Sequence, residues 1–388
     1  MTTYRSAVAA LDALQPDGSL YCLSTAALDR EARRFLRSFP GETMYAVKCN
    51  PEPHVLETLA RAGITRFDVA SMQEIDLCRR LTPQAELFFM HPVKTVQEIA
   101  VAYDRYGVRA TAVDHPDELA KVEKACLADP TEMTVFVRIA TPSEALFNLS
   151  EKFGADPATA IDLLRSVQAQ GNKVGLCFHV GSQVASAEAY AKAIRLAREI
   201  VGEAGVDLHA LDVGGGFPAA YANGSWPSIE QLCAVIRRLL AETGLDQVPR
   251  IQAEPGRALV ASAMSTLTRV ELRKHDRLYI AEGVWGTFSE SMTAAVQYPA
   301  RLIRTDGSAP SPKLGSFEIM GVTCDCVDKL ATRYHLPEDV RIDDWIEFGM
   351  TGAYSLSMRT RFNGFDYGAI ALVDEVFSGE PEAGPLAA

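Results

Sequence analysis

From about residue 43 to residue 253 the chain alternates two patterns. Short runs of apolar and β-branched residues are separated by longer stretches in which apolar residues recur at i, i+3 and i+4. The short runs predict strands over residues 44–47, 66–69, 87–89, 110–113, 134–139, 174–178, 210–213 and 250–253. The stretches between them, such as PHVLETLARAG, SMQEIDLCRRL and SAEAYAKAIRLAREIVGEAG, predict helices, several of them stopped by glycine. Eight strand–helix units in succession is the count of a (β/α)8 barrel, and a doubly wound open sheet is the alternative that shares the alternation.

After Leu259 the pattern changes. Runs such as STLTRVELRKH, RLYIAEG, GSFEIMGV, DWIEFGM and GAIALVDEV are short and alternating, with turns between, which predicts antiparallel strands. A strand over residues 20–23 precedes the barrel pattern and can join them. The expected organisation is an α/β barrel over residues 27–263 and a β domain built from residues 1–26 and 264–388. The last stretch, SGEPEAGPLAA, reads as a disordered tail.

Composition narrows the function. The net charge is −12, with 38 basic against 50 acidic residues and no local basic stripe. That argues against nucleic acid as a partner and leaves a small cationic substrate unrepelled. No apolar run approaches membrane-spanning length, and the N-terminus lacks a signal-peptide core, so a cytoplasmic protein with no membrane partner is expected. The eight cysteines are scattered and read as reduced thiols. Cys324-Asp325-Cys326 has one spacer, no second pair and no nearby histidine, so no metal site is expected.

Candidate chemistry sits at the predicted C-terminal ends of the barrel strands, which face the active site in such folds. Those ends carry Lys48, Asp68 (with Glu74 on the next helix), Arg138, His179, the run Gly214-Gly215-Gly216, and Glu254 ahead of Gly256-Arg257. A desolvated lysine at the barrel mouth becomes a nucleophile for a carbonyl, whereas a lysine just past a strand can equally be a surface residue. Three glycine amides can cradle a phosphate or simply make a tight turn. They match neither the phosphate-loop pattern nor the dinucleotide one. Glu254 and Arg257 can serve a ring nitrogen and a phosphate, or act as a cap and a surface charge. His179 can stack on a flat ring or sit satisfied in the core. An amine, a phosphate cradle, a carboxylate and a flat ring are the parts that hold pyridoxal phosphate.

At this point nine segments in order carry a resemblance: YAVKCNP, RFDVASMQEI, VRIAT with NLSEKFG, FHVGSQ, LDVGGGFP, AEPGRALVASA, LYIAEGVWGTF, GVTCDCVDKL, and GAYS with FNGF. The chain resembles the fold-type III pyridoxal-phosphate decarboxylases, the group acting on ornithine, diaminopimelate and arginine, and most closely its ornithine-acting members. The resemblance spans about residues 20 to 375. It implies a barrel holding pyridoxal 5'-phosphate and a mainly antiparallel C-terminal β domain. It also implies that Lys48 bonds the cofactor aldehyde and that His179 stacks on the ring. Ser182, Gly215, Gly216, Gly256 and Arg257 would hold the phosphate together with Tyr354. Glu254 would partner the ring nitrogen, and Asp68, Glu74 and Arg138 would support the lysine and cofactor. Cys324 resembles the acid that protonates the product carbon, Asp325 and Glu282 the groups that bind the distal end of the substrate, and Phe362 the aromatic lining the pocket. A homodimer with shared active sites is implied, Cys324 and Asp325 coming from the partner.

The activity this implies is decarboxylation of a basic L-amino acid, L-ornithine to putrescine and CO2. The alternatives are lysine, arginine or an N-substituted diamino acid from a specialised polyamine or siderophore pathway and, from another class, a non-catalytic homologue that only binds. Two departures from the family pattern bear on this. Ala281-Glu282 stands where ornithine-acting members carry Asn-Asp, a change also found in arginine-acting relatives. His91-Pro92-Val93-Lys94 stands where eukaryotic members carry Asn-Pro-Cys-Lys.

Overall fold

The computed structural model describes residues 2–126, 129–141, 145–147, 152–222, 224–294, 296–365, 368–377 and 379. Residues 148–151 of the NLSEKFG segment, and the tail at 378 and 380–388, lie outside the described residues. The chain divides into two compact units: residues 32–218 with 226–258, and residues 1–31 with 219–225 and 259–388. Among the described residues no helix is long and apolar enough to cross a membrane.

The first unit is a closed barrel of eight strands: β1 (Glu42–Ala46), β2 (Arg66–Val69), β3 (Glu86–Phe89), β4 (Ala110–Val113), β5 (Thr134–Ile139), β6 (Lys173–Phe178), β7 (Ala210–Asp212) and β8 (Arg250–Ala253). Each pairs in parallel with the next, and Gln252 of β8 pairs with Glu42 of β1 to close the ring. The barrel, not the open sheet, is therefore the fold. Helices cover it from outside. Several start at side-chain caps, Ser71, Thr95, Asp156 and Ser228 among them, and two stop at Gly205 and Gly244 in the left-handed conformation. Inside, large and small side chains interdigitate: Met44, Phe88, Met90 and Phe136 against Ala110, Ala112, Cys177 and Ala210. Gly175 lies across from Phe136 in the register, and a Cβ there would come within 2.6 Å of the Phe136 ring.

Three strands begin earlier than their apolar pattern marks, at Glu42, Glu86 and Lys173, because polar first residues carry no apolar signal. Glu42 and Glu86 have a purpose at the N-terminal mouth. Arg250 meets Glu42 at 2.8 Å and Glu86 at 2.9 Å, Arg66 meets each of them at 3.0 Å, and Gln252 donates to Glu42 at 2.8 Å. The Arg250 guanidinium lies 5.6 Å from the Phe88 ring centroid, so the ion ring caps the inner apolar layer. A further element escaped the pattern altogether, a ribbon of Ala145–Phe147 paired antiparallel with Ser182–Val184.

The second unit is a nine-stranded, mainly antiparallel sheet. Its long central strand, Met264–Lys274, pairs antiparallel with Ser19–Leu23, Arg277–Ile280 and Trp345–Phe348. Ser19–Leu23 is buried at every position and pairs on its other side, in parallel, with Gly368–Glu375. Thr3–Ser6 adds a further parallel strand, and helix Ala7–Leu14 follows it; the sequence pattern assigned neither. Ala7, Ala10 and Leu11 of that helix pack with Leu20, Leu267 and Trp345 over the sheet.

The ion ring yields a stability prediction. Arg250→Met keeps the apolar stem over Phe88 and removes the charge shared by two carboxylates. The expected loss is about 1 kcal/mol, seen as a melting temperature lower by roughly 2–4 °C. An unchanged melting curve would show that the ring contributes nothing.

Candidate active site

The C-terminal ends of the barrel strands bring together Lys48, Asp68, Arg138, His179, Ser182, the three glycines, Glu254 and Arg257. Lys48 sits in a 3-10 turn, Val47–Cys49, directly after β1. Its Nζ lies 3.0 Å from Asp68 Oδ2. Asp68 is 2% exposed on β2, while the Lys48 side chain is 42% exposed. The amine is half open, and the buried Asp68 carboxylate holds it in place. Glu74 turns back onto its own chain. It accepts the Ala70 N–H at 2.7 Å and so closes the turn between β2 and helix Met72–Leu81. Burial raises its pKa, and the Asp68 charge adds to the rise.

The carboxyl of Glu254 is buried just after β8, the neighbouring strand that pairs with β1. Burial first, then the charges of Asp212 and Asp68, push its proton affinity well above the ordinary carboxyl range. Asp212, the last residue of β7, is fully buried; its Oδ1 accepts the Gly214 N–H at 2.8 Å. No sequence signal marked Asp212, because it stands inside an apolar strand run.

The glycine run is sterically required. Gly214 has φ +70°, and a Cβ there would sit 2.0 Å from the Phe178 carbonyl oxygen. At Gly215 a Cβ would meet His179 Nε2 and the Glu254 carbonyl oxygen, each at 2.8 Å. The backbone thus reaches the His179 ring with nothing between. His179 is half-buried and follows β6; its Nδ1 accepts the Gly181 N–H at 3.1 Å. Burial, then the charges of Arg138 and Lys48, lower its pKa well below the usual histidine value, so it is a neutral flat ring. Arg257, buried, donates to Ser182 Oγ at 3.1 Å beside the glycines. Ser182 lies on the short ribbon the pattern did not show. Gly256 has a packing reason, since a Cβ there would come within 2.9 Å of Cys49 Cβ. Its absence lets the Pro255 carbonyl accept the Ala46 N–H at 3.2 Å, joining the turns that carry Arg257 and Lys48. Arg138 is half-buried, with its guanidinium 5.4 Å from the Phe153 ring centroid.

The β unit carries the remaining residues. Cys324 is exposed, and its N–H donates to Asn363 Oδ1 at 3.1 Å. That bond ties the Cys324 loop to the turn that presents Phe362, whose ring packs 5.4 Å from Trp285. Asp325 Oδ1 accepts the Val327 N–H at 3.1 Å. The organiser of the loop is Asp328, which sequence reasoning missed. It is buried and accepts the Val284 N–H at 2.8 Å and the Thr323 hydroxyl at 2.6 Å, and Gly283 and Gly321 leave room for it. Tyr354 has a left-handed backbone, φ +50°. Its carbonyl accepts the Ser289 hydroxyl at 3.2 Å.

Glu282 is not the open carboxylate that a substrate-binding role suggests. It is 3% exposed and accepts from the Tyr21 hydroxyl and from the Thr287 N–H at 3.0 Å; Arg359 lies 3.7 Å away. Burial, with the Glu282 charge second, raises the Tyr21 pKa, which keeps the phenol a donor.

Known proteins resemble this chain in sequence and fold. Residues 25–261 match the family model for the pyridoxal-binding domain of pyridoxal-dependent decarboxylases. The chain is 35% identical to a lysine/ornithine decarboxylase of Selenomonas ruminantium over 331 residues, covering 83% of this chain and 80% of that protein. It is 34% identical to the ornithine decarboxylase of Mus musculus over 358 residues, 86% of this chain and 75% of the relative. The crystal structure of the Paramecium bursaria Chlorella virus arginine decarboxylase superimposes with a TM-score of 0.83 at 28% identity, covering 94% of this chain and 98% of that one. The chain belongs to the pyridoxal-phosphate-dependent decarboxylases of basic amino acids, a fold-type III family that includes ornithine-, lysine- and arginine-acting enzymes.

Proposed function

We propose that the protein decarboxylates L-ornithine to putrescine and CO2, as a homodimer with shared active sites. The observation that supports the reading is the Lys48–Asp68 pair at 3.0 Å, with a buried Glu254 after the strand paired to that of Lys48 and bare glycine backbone at the same end of the barrel.

The barrel residues fit pyridoxal 5'-phosphate. No Cβ fits at Gly214, Gly215 or Gly216, so this backbone stays bare beside His179. Gly215, Gly216, Ser182 and Arg257 would hold the phosphate with the Tyr354 hydroxyl, His179 the ring face and Glu254 the ring nitrogen. When bound, the cofactor supplies a sink for the electron pair left on Cα as CO2 departs. This chain's residues do the rest. Asp68 orients the Lys48 amine, and burial, with the Arg138 charge second, favours a neutral His179. Cys324 returns a proton to Cα. Asp325 and Glu282 favour a cationic distal group.

A second reading has its own observation. Both Glu282 oxygens are already engaged, and Arg359 stands beside them. That supports a larger or less simply charged distal group, as in arginine or an N-substituted diamino acid.

CO2 release from ornithine, lysine, arginine and diaminopimelate separates these readings. Ornithine is expected to give the highest kcat/KM. A preference for arginine selects the second reading, a preference for diaminopimelate overturns both, and no release from any of them leaves a binding protein. Lys48→Ala is expected to remove the visible absorbance of the lysine-bound cofactor; unchanged absorbance would place the attachment elsewhere. Cys324→Ala is expected to slow diamine formation by roughly 10²–10⁴-fold. If sites are shared between chains, mixing the Lys48→Ala and Cys324→Ala proteins regains activity that neither has alone. Failure to regain it would argue for self-contained sites.

A further inference from the structure

Lys94 is 3% exposed, so its amine is buried in the loop that follows β3. Nζ donates to three carbonyl oxygens: His91 at 2.6 Å, Ala112 at 2.7 Å and Pro92 at 3.2 Å. An ammonium has three donors and no acceptor, so this cage uses all of them. The same amine lies 5.6 Å from the Phe89 ring centroid. The Lys94 backbone is held as well. Its N–H donates to Glu118 Oε2 at 3.2 Å, and its carbonyl accepts the Lys121 amine at 2.9 Å, both from helix Pro116–Ala125. Lys121 also pairs with Glu118.

The cage sits at a thin seam of the barrel. Among the described residues β3 and β4 share one register pair, Phe89 with Thr111, whereas β4 and β5 pair from Ala110 to Val113. The Thr111 hydroxyl adds a bond to the Phe89 carbonyl at 2.9 Å. Beyond that point Lys94 is what joins the two carbonyls past β3 to the Ala112 carbonyl on β4. This is the C-terminal end of the strands, where the candidate site lies. The His91 ring meets the Phe153 ring edge-on with centroids 5.5 Å apart, and the Arg138 guanidinium lies 5.4 Å from the centroid of the same ring. Asp114, just after β4, accepts the Gly154 N–H at 2.9 Å. Phe153 thus leans on the loop after β3 through His91, and its neighbour Gly154 on the end of β4. Loosening the seam would disturb both supports.

We propose that Lys94 is a positioning residue for the reaction: its buried ammonium locks the loop after β3 onto β4 and thereby holds His91, Phe153 and Arg138 in place at the reactive end of the barrel. The effect on the reaction rests on the proposed role of Arg138; the lock itself does not. The charged and titratable groups facing the amine are Glu118 and Lys121 on the helix, Asp114 after β4, Cys177 on β6, and His91 and Glu98 on either side of Lys94 in its own segment. Burial raises the Cys177 pKa, burial and then the Lys94 charge lower that of His91, and hydrogen bonds from Thr95 lower that of Glu98. Burial lowers the Lys94 pKa to about 8, and the charges of Glu118 and Asp114 oppose that fall. A neutral amine has two donors instead of three, and they are no longer charge-assisted. Loss of the proton near pH 8 therefore leaves one of the three carbonyls without its partner and weakens the lock.

The first arm of the test needs no substrate. In the cofactor-free protein at pH 7, Lys94→Met should speed amide hydrogen exchange about tenfold or more in segments 90–95 and 152–155, while the Met264–Lys274 strand of the β unit keeps its protection. Circular dichroism reports whether the variant is folded. In the cofactor-loaded enzyme, with the amino acid it turns over best, Lys94→Met should lower kcat about tenfold or more and change KM by less than about threefold. A lysine that only stabilised the fold would not link this loss to pH. Titrations common to both enzymes cancel in the ratio of their kcat/KM values, so wild type over variant should fall as pH rises through about 8. Glu118→Gln keeps an oxygen for the Lys94 N–H and removes a charge that favours the ammonium, so it should move the alkaline fall of kcat/KM to lower pH. A folded Lys94→Met protein with unchanged exchange in both segments, or a ratio that does not vary with pH, would overturn the proposal. If Lys94→Met does not fold, an alkaline limb that Glu118→Gln leaves unmoved would overturn it instead. Should no amino acid be decarboxylated, the exchange arm still decides, which separates this proposal from the assignment of substrate.

Discussion

Burying acidic side chains without burying uncompensated charge is the constraint on which the barrel mouth depends. Asp68, Asp212 and Glu254 lie within a few residues of three strand ends, and all are removed from water. Three bare carboxylates packed together out of water would be prohibitively costly. The arrangement eases that with one ion pair, Lys48–Asp68, with a backbone amide on Asp212, and with a proton affinity at Glu254 raised by its burial. Each remedy needs its own strand end at the correct height. A one-residue slip in register would turn Asp68 or Asp212 from the barrel interior toward the helices, leaving the lysine without its partner.

The glycines set that height. Gly214 can pass under the Phe178 carbonyl only without a Cβ, and Gly256 lets the Arg257 turn settle against Cys49 beside the Lys48 turn. The two ends of the barrel thereby take different tasks. At the N-terminal end, Glu42, Arg66, Glu86 and Arg250 satisfy one another. At the C-terminal end, charges are paired sparingly, and amides, a neutral imidazole and a half-open amine remain for a ligand. This division between a stabilising face and a reactive face follows from parallel strands, which deliver all their C-terminal ends to one side.

Much of this was legible in the chain because parallel barrel strands are covered on both faces and read as unbroken apolar runs. A polar residue directly after such a run stands out, as Lys48, His179 and Glu254 do. What escaped notice did so for physical reasons. Asp212 ends a strand of three residues and looks like part of it. The ribbon that carries Ser182 is also three residues long, too short for a period to appear. Asp328 acts by accepting backbone and hydroxyl donors, a role with no residue signature of its own. Tyr21 and Glu282 are joined across 261 positions, and only the folded β unit brings them together.

That last contact bears on how the family's selectivity can work in this chain. A carboxylate 3% exposed, with a phenol and an amide already donating to it, has little capacity left for another cation. Arg359 reduces it further, lying 3.7 Å from Glu282 and 5.1 Å from the Tyr21 ring centroid. An incoming ammonium would meet a nearly neutral pair, so Coulomb attraction from Glu282 would be weak, and the gain would have to come from hydrogen bonds that displace Arg359. A guanidinium is planar and presents several donors, so Arg359 favours groups that accept hydrogen bonds. With Tyr21, Thr287 and Arg359 around it, the Glu282 carboxylate is part of a hydrogen-bonded wall of the β unit, not an open charge.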